Sequence, residues 1–147
     1  MDAACNKRDD MDRVEHLTKL LIDHDPGDPN EANYCREMLQ LTDSKETALS
    51  REHFTPGHFT ASAFVLSPDR KSVLLIFHGK LARWLQPGGH IDPEDPNVLQ
   101  AAAREVEEET GLTGLKPVGS GLFDVDIHEI PARKTSPTHR HFDLRIL

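Results

Sequence analysis

The first part of the chain has apolar residues at helical spacing. Over residues 10 to about 24, the apolar side consists of Met11, Val14, Leu17, Leu20 and Leu21, which predicts an amphipathic helix. The segment Asp25-Pro26-Gly27-Asp28-Pro29 ends this helix, because proline and glycine interrupt helical backbone. A second helix is predicted from about residue 30, with Tyr34, Met38 and Leu41 on its apolar side, and a short third helix around residues 44–52. Residues 1–55 are therefore predicted to form an N-terminal helical extension.

Strand-like patterns follow from Phe59 onward. Residues 60–66 and 73–77 are rich in strand-forming residues and are joined by the turn segment SPDRK, which predicts a β-hairpin. Residues 115–118 and 122–127 are further strand candidates. Near the C-terminal end, polar residues alternate with largely apolar ones, so a strand there would have one polar face, formed by His139, His141, Asp143 and Arg145. Helices combined with strands predict an α/β fold.

A fourth predicted helix separates these strands and carries an unusual concentration of negative charge. Its apolar stripe consists of Leu99, Ala102, Ala103, Val106 and Thr110. Three carboxylates, those of Glu105, Glu108 and Glu109, fall inside a sector about 100° wide beside that stripe. Such a face repels itself unless a cation offsets the charge, and Mg²⁺ prefers oxygen ligands of this kind. An acidic helical face is more often simply solvated, so the surrounding residues decide between the two interpretations.

The residues on both sides of the acidic face favour a metal site. The segment WLQPGGH (residues 84–90) leads through a paired-glycine turn into the helix, and Gly111 lies where a helix C-cap is expected. Residues 89–112 together resemble the Nudix box, whose pattern is Gly, five residues, Glu, seven residues, Arg-Glu, aliphatic, any, Glu-Glu, any, Gly, aliphatic. The second half matches this pattern without exception.

The first half of the box departs from the pattern. One extra residue lies between Gly89 and Arg104, and no glutamate stands at the expected position by either count. Asp95 precedes Pro96, a combination typical of a helix N-cap followed by proline at the first helical position. We therefore expect Asp95 to cap the helix in preference to binding metal, with Glu94 as a weaker substitute for the missing glutamate.

The resemblance implies a fold and an activity. Nudix enzymes are Mg²⁺- or Mn²⁺-dependent hydrolases that cleave a nucleoside diphosphate linked to another moiety, and their fold is an αβα sandwich with a mixed sheet. By resemblance, the metal ligands are Glu105, Glu108, Glu109 and the carbonyl of Gly89. Arg104 would hold the acidic helix by ion pairing, and Glu105 is the candidate general base, so the catalytic set is Glu105, Arg104 and Glu108.

The resemblance also suggests how the chain divides. Residues 56–147 would be the Nudix domain. Because this fold normally continues into more strands and a second major helix, the domain is expected to be truncated at its C-terminal end. One alternative is that the N-terminal helices cover the sheet face that the second helix would occupy.

Histidines provide a second group of candidate residues. His139, His141 and Arg145 on the predicted last strand, together with His128, could bind phosphate or a nucleotide sugar, and His90 beside the glycine turn is the best placed to meet a ligand. The alternative is that these side chains face solvent on an edge strand. His53, His58 and His78 are interpreted in the same way, and no spacing matches a zinc site.

Composition limits the remaining choices. With 37% hydrophobic and 29% charged residues, the 147-residue chain fits one ordinary domain. At a net charge of −8 an anionic substrate needs metal to reach the site. Neither a membrane-spanning run nor a secretion signal is evident, which favours a cytoplasmic location. The charge disfavours nucleic acid as a partner. Cys5 and Cys35 fit incidental reduced thiols.

Three functions are consistent with the sequence. The first is a pyrophosphohydrolase acting on a small nucleotide, with a homodimer as one assembly known in the family. The second is a non-catalytic Nudix-fold module for ligand binding or regulation, which the irregular first half of the box favours. The third is an enzyme like isopentenyl-diphosphate isomerase. That chemistry needs a protonating cysteine near the substrate, and neither Cys5 nor Cys35 lies in the predicted sheet region.

Overall fold

The computed structural model describes the backbone of residues 3–147 and the side chains of residues 13–147. Helices α1 (Ala3–Asp23) and α2 (Pro29–Leu41) and a 3₁₀ helix (Thr42–Leu49) come first. Six strands follow: β1 (Gly57–Ala63), β2 (Val65–Leu66), β3 (Val73–Leu74), β4 (Ile76–His78), β5 (Arg83–Leu85) and β6 (Gly88–His90). Helix α3 (Val98–Thr110) and strands β7 (Asp124–Ile130) and β8 (His139–Ile146) complete the fold.

The main sheet has four strands in the order β6-β1-β8-β7. Strand β1 is antiparallel to β6 and parallel to β8, and β8 is antiparallel to β7. Two short antiparallel pairs, β2 with β3 and β4 with β5, lie outside this sheet. The predicted α/β class with a mixed sheet and N-terminal helices is confirmed.

The register gives the sheet one apolar and one polar face. Because successive side chains of a strand point to opposite faces, the pairing of Phe59 with Phe142 and of Ala61 with Leu144 collects apolar residues on one side. Val125 and Ile127 of β7 extend that side. The opposite side has the pairs His58 with His141, Thr60 with Asp143 and Ser62 with Arg145.

The helices contribute to the core on the apolar face. Leu17, Met38, Leu41 and Leu49 belong to the same buried cluster as Val106 and Phe142. Fully burying one such side chain contributes about 1.5–3 kcal/mol. In addition, Arg13 of α1 donates hydrogen bonds to the carbonyls of Asp92, Pro93 and Asp95 at 2.7–3.0 Å. The N-terminal extension is thus attached to the segment that leads into α3.

Several elements differ from the predictions in their limits. The first helix begins at Ala3, well before residue 10, and the short third helix is a 3₁₀ helix that ends at Leu49. The predicted hairpin is divided: β1 pairs within the main sheet, and only β2 and β3 pair across the turn. Residues 115–118 form no strand in the described structure. Among the described helices, none combines the length and apolarity that crossing a membrane requires.

Close packing of β6 against β1 requires a glycine at position 88. A Cβ atom on Gly88 would lie 2.7 Å from the carbonyl oxygen of Ala61, whereas one on Gly79 would meet no atom within 4 Å. We therefore expect Gly88→Ala to lower the free energy of unfolding by about 1–3 kcal/mol, as overpacking does. Gly79→Ala is the matched control, with an expected change of about 0.5 kcal/mol or less. Urea denaturation measures the unfolding free energy of both variants. Equal values would contradict the close packing of Gly88 against β1.

Candidate active site

The acidic face of α3 lies against strand β6. A Cβ atom on Gly89 would be 2.7 Å from the carboxyl carbon of Glu105, so only glycine lets that carboxylate approach the strand backbone. The backbone N–H of Gly88 hydrogen-bonds to the Glu109 carboxylate and lowers its pKa, although other effects outweigh this. The two glycines and two of the three glutamates predicted as metal ligands therefore meet at one place.

Negative charge accumulates there without full compensation. Burial raises the pKa of Glu105; Arg104 lowers it and Glu108 raises it, and the net shift is upward. Burial, and after it the charge of Glu105, likewise raises the pKa of Glu109. A raised carboxyl pKa means that the charged form is disfavoured, and a bound cation would reverse that. The arrangement has the charge and the oxygen donors of a divalent metal site.

The guanidinium of Arg104 connects the acidic helix to its surroundings. Its Nη1 donates to Glu105 at 3.0 Å and to Glu108 at 3.1 Å. Its Nε and Nη2 donate to the two carboxylate oxygens of Asp95, each at 2.8 Å, and Nη2 also donates to the carbonyl of His90 at 2.9 Å. The hydrogen bonds to Asp95 are the largest of the effects that raise the pKa of Arg104. The predicted ion-pairing role thus has a definite geometry.

Asp95 is the partner of Arg104 and does not cap the helix, so the prediction of an N-cap at Asp95 is wrong. The cap is Asn97, whose side chain accepts from the Gln100 N–H at 2.9 Å, and α3 begins at Val98. Burial tends to raise the pKa of Asp95, but hydrogen bonds from Arg104 and from the Asp92 backbone lower it overall. Asp95 is 5% exposed, whereas Glu94 is exposed.

The polar face of the sheet gathers histidines from four strands. The ring of His58 lies 4.9 Å from that of His141, 5.2 Å from that of His90 and 5.2 Å from that of His139, measured between centroids. His128 of β7 lies 5.5 Å from His141. Three histidines predicted as substrate contacts, His90, His139 and His141, are therefore neighbours.

His58 was not predicted to belong to this group. It is 1% exposed, although the sequence suggested a solvent-facing residue. Strand β8 is internal, between β1 and β7, and is not the edge strand of the alternative interpretation. The alternation of His58, Thr60 and Ser62 along β1 is a signal that could have indicated a polar face.

Arg145, the fourth predicted substrate contact, is surrounded by carboxylates. It lies 2.8 Å from Asp124, 3.2 Å from Asp126 and 3.1 Å from Asp143. Asp143 in turn accepts hydrogen bonds from the hydroxyls of Thr60 and Ser62. The positive charge of Arg145 is therefore paired with carboxylates of the sheet. The substrate role of Arg145 stays a prediction.

Burial keeps the central imidazoles uncharged. Burial is the main cause that lowers the pKa of His58 to about 4; the hydrogen bond to the His53 carbonyl opposes this shift, and the neighbouring histidines contribute to it. Burial, followed by repulsion from His58, His128 and His90, lowers the pKa of His141 to about 3. Near neutral pH both rings are neutral, with a nitrogen lone pair available to accept a proton or a metal.

Comparison with known proteins identifies a matching family and a similar solved structure. A family model described as the NUDIX domain matches residues 56–144, more than half of the chain. The crystal structure of a C. elegans Ap4A hydrolase is similar at 20% sequence identity and a TM-score of 0.38, over 60% of this chain and 67% of that one.

The bidentate pair between Arg104 and Asp95 is expected to contribute strongly to stability. Asp95→Ala removes the hydrogen bonds that Nε and Nη2 donate to a buried carboxylate, while Glu105 and Glu108 remain as partners of Arg104. The unfolding free energy should therefore fall by about 1.5–3 kcal/mol. Asp92→Ala is the control, because the Asp92 side chain is 38% exposed and 3.5 Å from Arg104; a loss of about 1 kcal/mol or less is expected. Chemical denaturation of both variants tests this. If Asp95→Ala lowered the unfolding free energy no more than Asp92→Ala does, the pair between Arg104 and Asp95 would not be an important source of stability.

Stability of the metal-free protein should depend on pH through the buried histidines. Their folded pKa values lie below the ordinary 6.5, so the unfolded chain takes up protons first as the pH falls. Stability is then complete above pH 6.5 and declines below it. We expect His141→Gln to flatten this decline between about pH 7 and about pH 5, whereas His16→Gln on the exposed side of α1 should not. Denaturation curves in the presence of a chelator measure the slopes, and equal slopes for His141→Gln and the parent would contradict the assignment.

Proposed function

This chain belongs to the NUDIX domain family, and on that premise we propose that it is a metal-dependent hydrolase. The reaction would be water attack on phosphorus, cleaving the pyrophosphate linkage of a nucleoside diphosphate joined to another moiety. The observation that carries this proposal is the complete Arg104, Glu105, Glu108 and Glu109 set, gathered on one helix against Gly88 and Gly89.

The donor set fits a hard divalent cation. We assign Glu105, Glu108, Glu109 and the carbonyl of Gly89 as ligands of Mg²⁺ or Mn²⁺. All four are oxygen donors. Burial, and after it the neighbouring carboxylates, raise the pKa values of Glu105 and Glu109, and a bound cation would oppose both effects. When bound, the ion would lower the pKa of a water molecule and offset the charge that develops on the phosphates.

Among the glutamates, Glu105 is the proposed general base. Its side chain is 13% exposed, against 58% for Glu108, and Arg104 holds its Oε1 at 3.0 Å. A shielded carboxylate in a fixed orientation is suited to take a proton from an aligned water molecule. Arg104 is a positioning residue in this proposal, because it orients Glu105 and Glu108 and ties them to Asp95.

Further features of the proposal follow from the sequence. Residues 1–55 would form a helical extension and residues 56–147 the Nudix domain, in a cytoplasmic protein whose partner is a small nucleotide-type substrate. The non-catalytic module remains the second candidate, because the first glutamate of the box is absent. Asp95 supports the hydrolase, since it gives Arg104 a carboxylate partner close to that position.

A turnover assay separates the two candidates. Purified protein with Mg²⁺ or Mn²⁺ is incubated with dinucleoside polyphosphates, sugar nucleotides and oxidised nucleotides, and the phosphate products are quantified. We expect cleavage of at least one class, with activity abolished by a chelator. Glu109→Gln should lower kcat by about 10²-fold or more, as loss of transition-state charge stabilisation does.

Glu107→Gln is the matched control on the same helix, because Glu107 is exposed on α3 outside the acidic sector. Glu107→Gln removes one negative charge from the same helix and should leave the turnover rate within about twofold of that of the parent protein. Stabilisation by nucleotides with no product from any class would favour the binding module. Full activity of Glu109→Gln would contradict the assigned metal site.

A further inference from the structure

Three histidine side chains on the polar sheet face converge on one point. His58 of β1, His90 of β6 and His141 of β8 each offer a ring nitrogen, and these three nitrogens all lie within 4.8 Å of one another. The residues come from three different strands, so the convergence depends on the tertiary fold. This cluster is separate from the glutamates of α3, which approach β6 from its other side.

Sheet register fixes the convergence. His58 and His141 are direct partners in the parallel pairing of β1 with β8. His90 pairs with Thr60, two residues beyond His58 on the same face. Direct partners in a sheet lie about 5 Å apart and diagonal neighbours about 7–8 Å apart, and imidazole side chains reach across both spacings, so all three rings can face one ligand. Little conformational entropy would be lost on binding.

Among the described residues, one ring nitrogen of His58 has no hydrogen-bond partner. The Nδ1 of His58 lies 3.2 Å from the carbonyl of His53, and a carbonyl can only accept, so Nδ1 carries the proton. The Nε2 of the same ring therefore has a free lone pair, and it is buried without a partner. A buried polar atom without a partner destabilises the folded state, and a ligand at this point would relieve that cost.

The hydrogen bond from His58 to the His53 carbonyl is of a kind that is common in metal-binding histidines. Such histidines typically donate the second ring N–H to a backbone carbonyl or a carboxylate, which fixes the tautomer and the ring orientation. His139 has the same arrangement nearby, with Nδ1 2.8 Å from the carbonyl of Pro137. His128 lies 2.9 Å from the carboxylate of Asp126.

We propose that His58, His90 and His141 form a Zn²⁺ site on the polar face of the sheet. Three neutral imidazoles suit zinc, whereas Mg²⁺ prefers the oxygen donors of α3. The site has three protein ligands, so a fourth position is open to water or to an exogenous ligand.

The two sites would lie back to back on one strand. Gly89 faces Glu105, whereas the next residue, His90, faces His58 and His141. The carbonyl of His90 also accepts a hydrogen bond from Arg104. A zinc ion held by His90 would therefore fix the strand that supports the acidic helix, and the two metals would be selected by different donor atoms.

Zinc binding to the full chain tests the proposal directly. Competition with a chromophoric chelator should show one tight Zn²⁺ per chain, and X-ray absorption should show nitrogen ligands at about 2.0–2.1 Å. His90→Gln and His141→Gln should each weaken zinc binding by about 10-fold or more. These positions are only half-buried, and circular dichroism confirms that each variant is folded. His58→Gln alters a fully buried residue and is not needed for the test.

Two controls make the result decisive. His16→Gln changes an exposed histidine of α1 and should leave zinc affinity unchanged. Glu109→Gln removes a carboxylate of the acidic helix and should likewise leave zinc affinity unchanged, even if it abolishes hydrolysis. Zinc that is bound with oxygen ligands only, or that is lost in Glu109→Gln and kept in His90→Gln and His141→Gln, would overturn the proposal.

Discussion

The candidate site depends on the hydrogen bonds and ion pairs that the guanidinium of Arg104 makes. This guanidinium lies among two carboxylates of its own helix, the buried carboxylate of Asp95 and the carbonyl of His90. Without it, the carboxylates of Glu105 and Glu108 would repel each other with less compensation. Burial is the main cause that raises the pKa values of Glu105 and Glu109, and the neighbouring carboxylates add to it; at Glu105 the opposing effect of Arg104 is too small to reverse the shift. These carboxylates are therefore partly desolvated and close together, at a place where a bound cation would favour their charged forms.

Strand β6 separates two chemical environments. Its glycines admit the acidic helix on one side, and His90 points toward imidazoles on the other. The separation follows from the alternation of side chains along a strand, so that neighbouring residues serve opposite faces. The apolar face of the central strands carries the helices and the core, while the polar face holds buried groups that satisfy one another, such as Asp143 with Thr60 and Ser62.

The sequence predicts the parts of this structure that local pattern determines. The helical period places Glu105, Glu108 and Glu109 on one face. The paired glycines were expected to form a turn, but they lie in strand β6, where the missing side chain of Gly89 lets Glu105 approach. The N-cap prediction for Asp95 was wrong because Asp-Pro is a strong local signal, while the pairing with Arg104 arises only when the loop folds back over α3. His58 was missed for a similar reason: its partner His141 is distant in the chain, and only the parallel pairing of β1 with β8 joins them.

The most direct test of the central claim is Mn²⁺ binding followed by electron paramagnetic resonance, in which free Mn²⁺ gives a sharp signal that weakens on binding. The parent protein with a nucleotide present should bind Mn²⁺, and the combined Glu105→Gln, Glu108→Gln and Glu109→Gln variant should leave the ion free while remaining folded. Equal Mn²⁺ binding by both proteins would show that the acidic face of α3 is not the metal site, and the proposed hydrolytic mechanism would then have no basis.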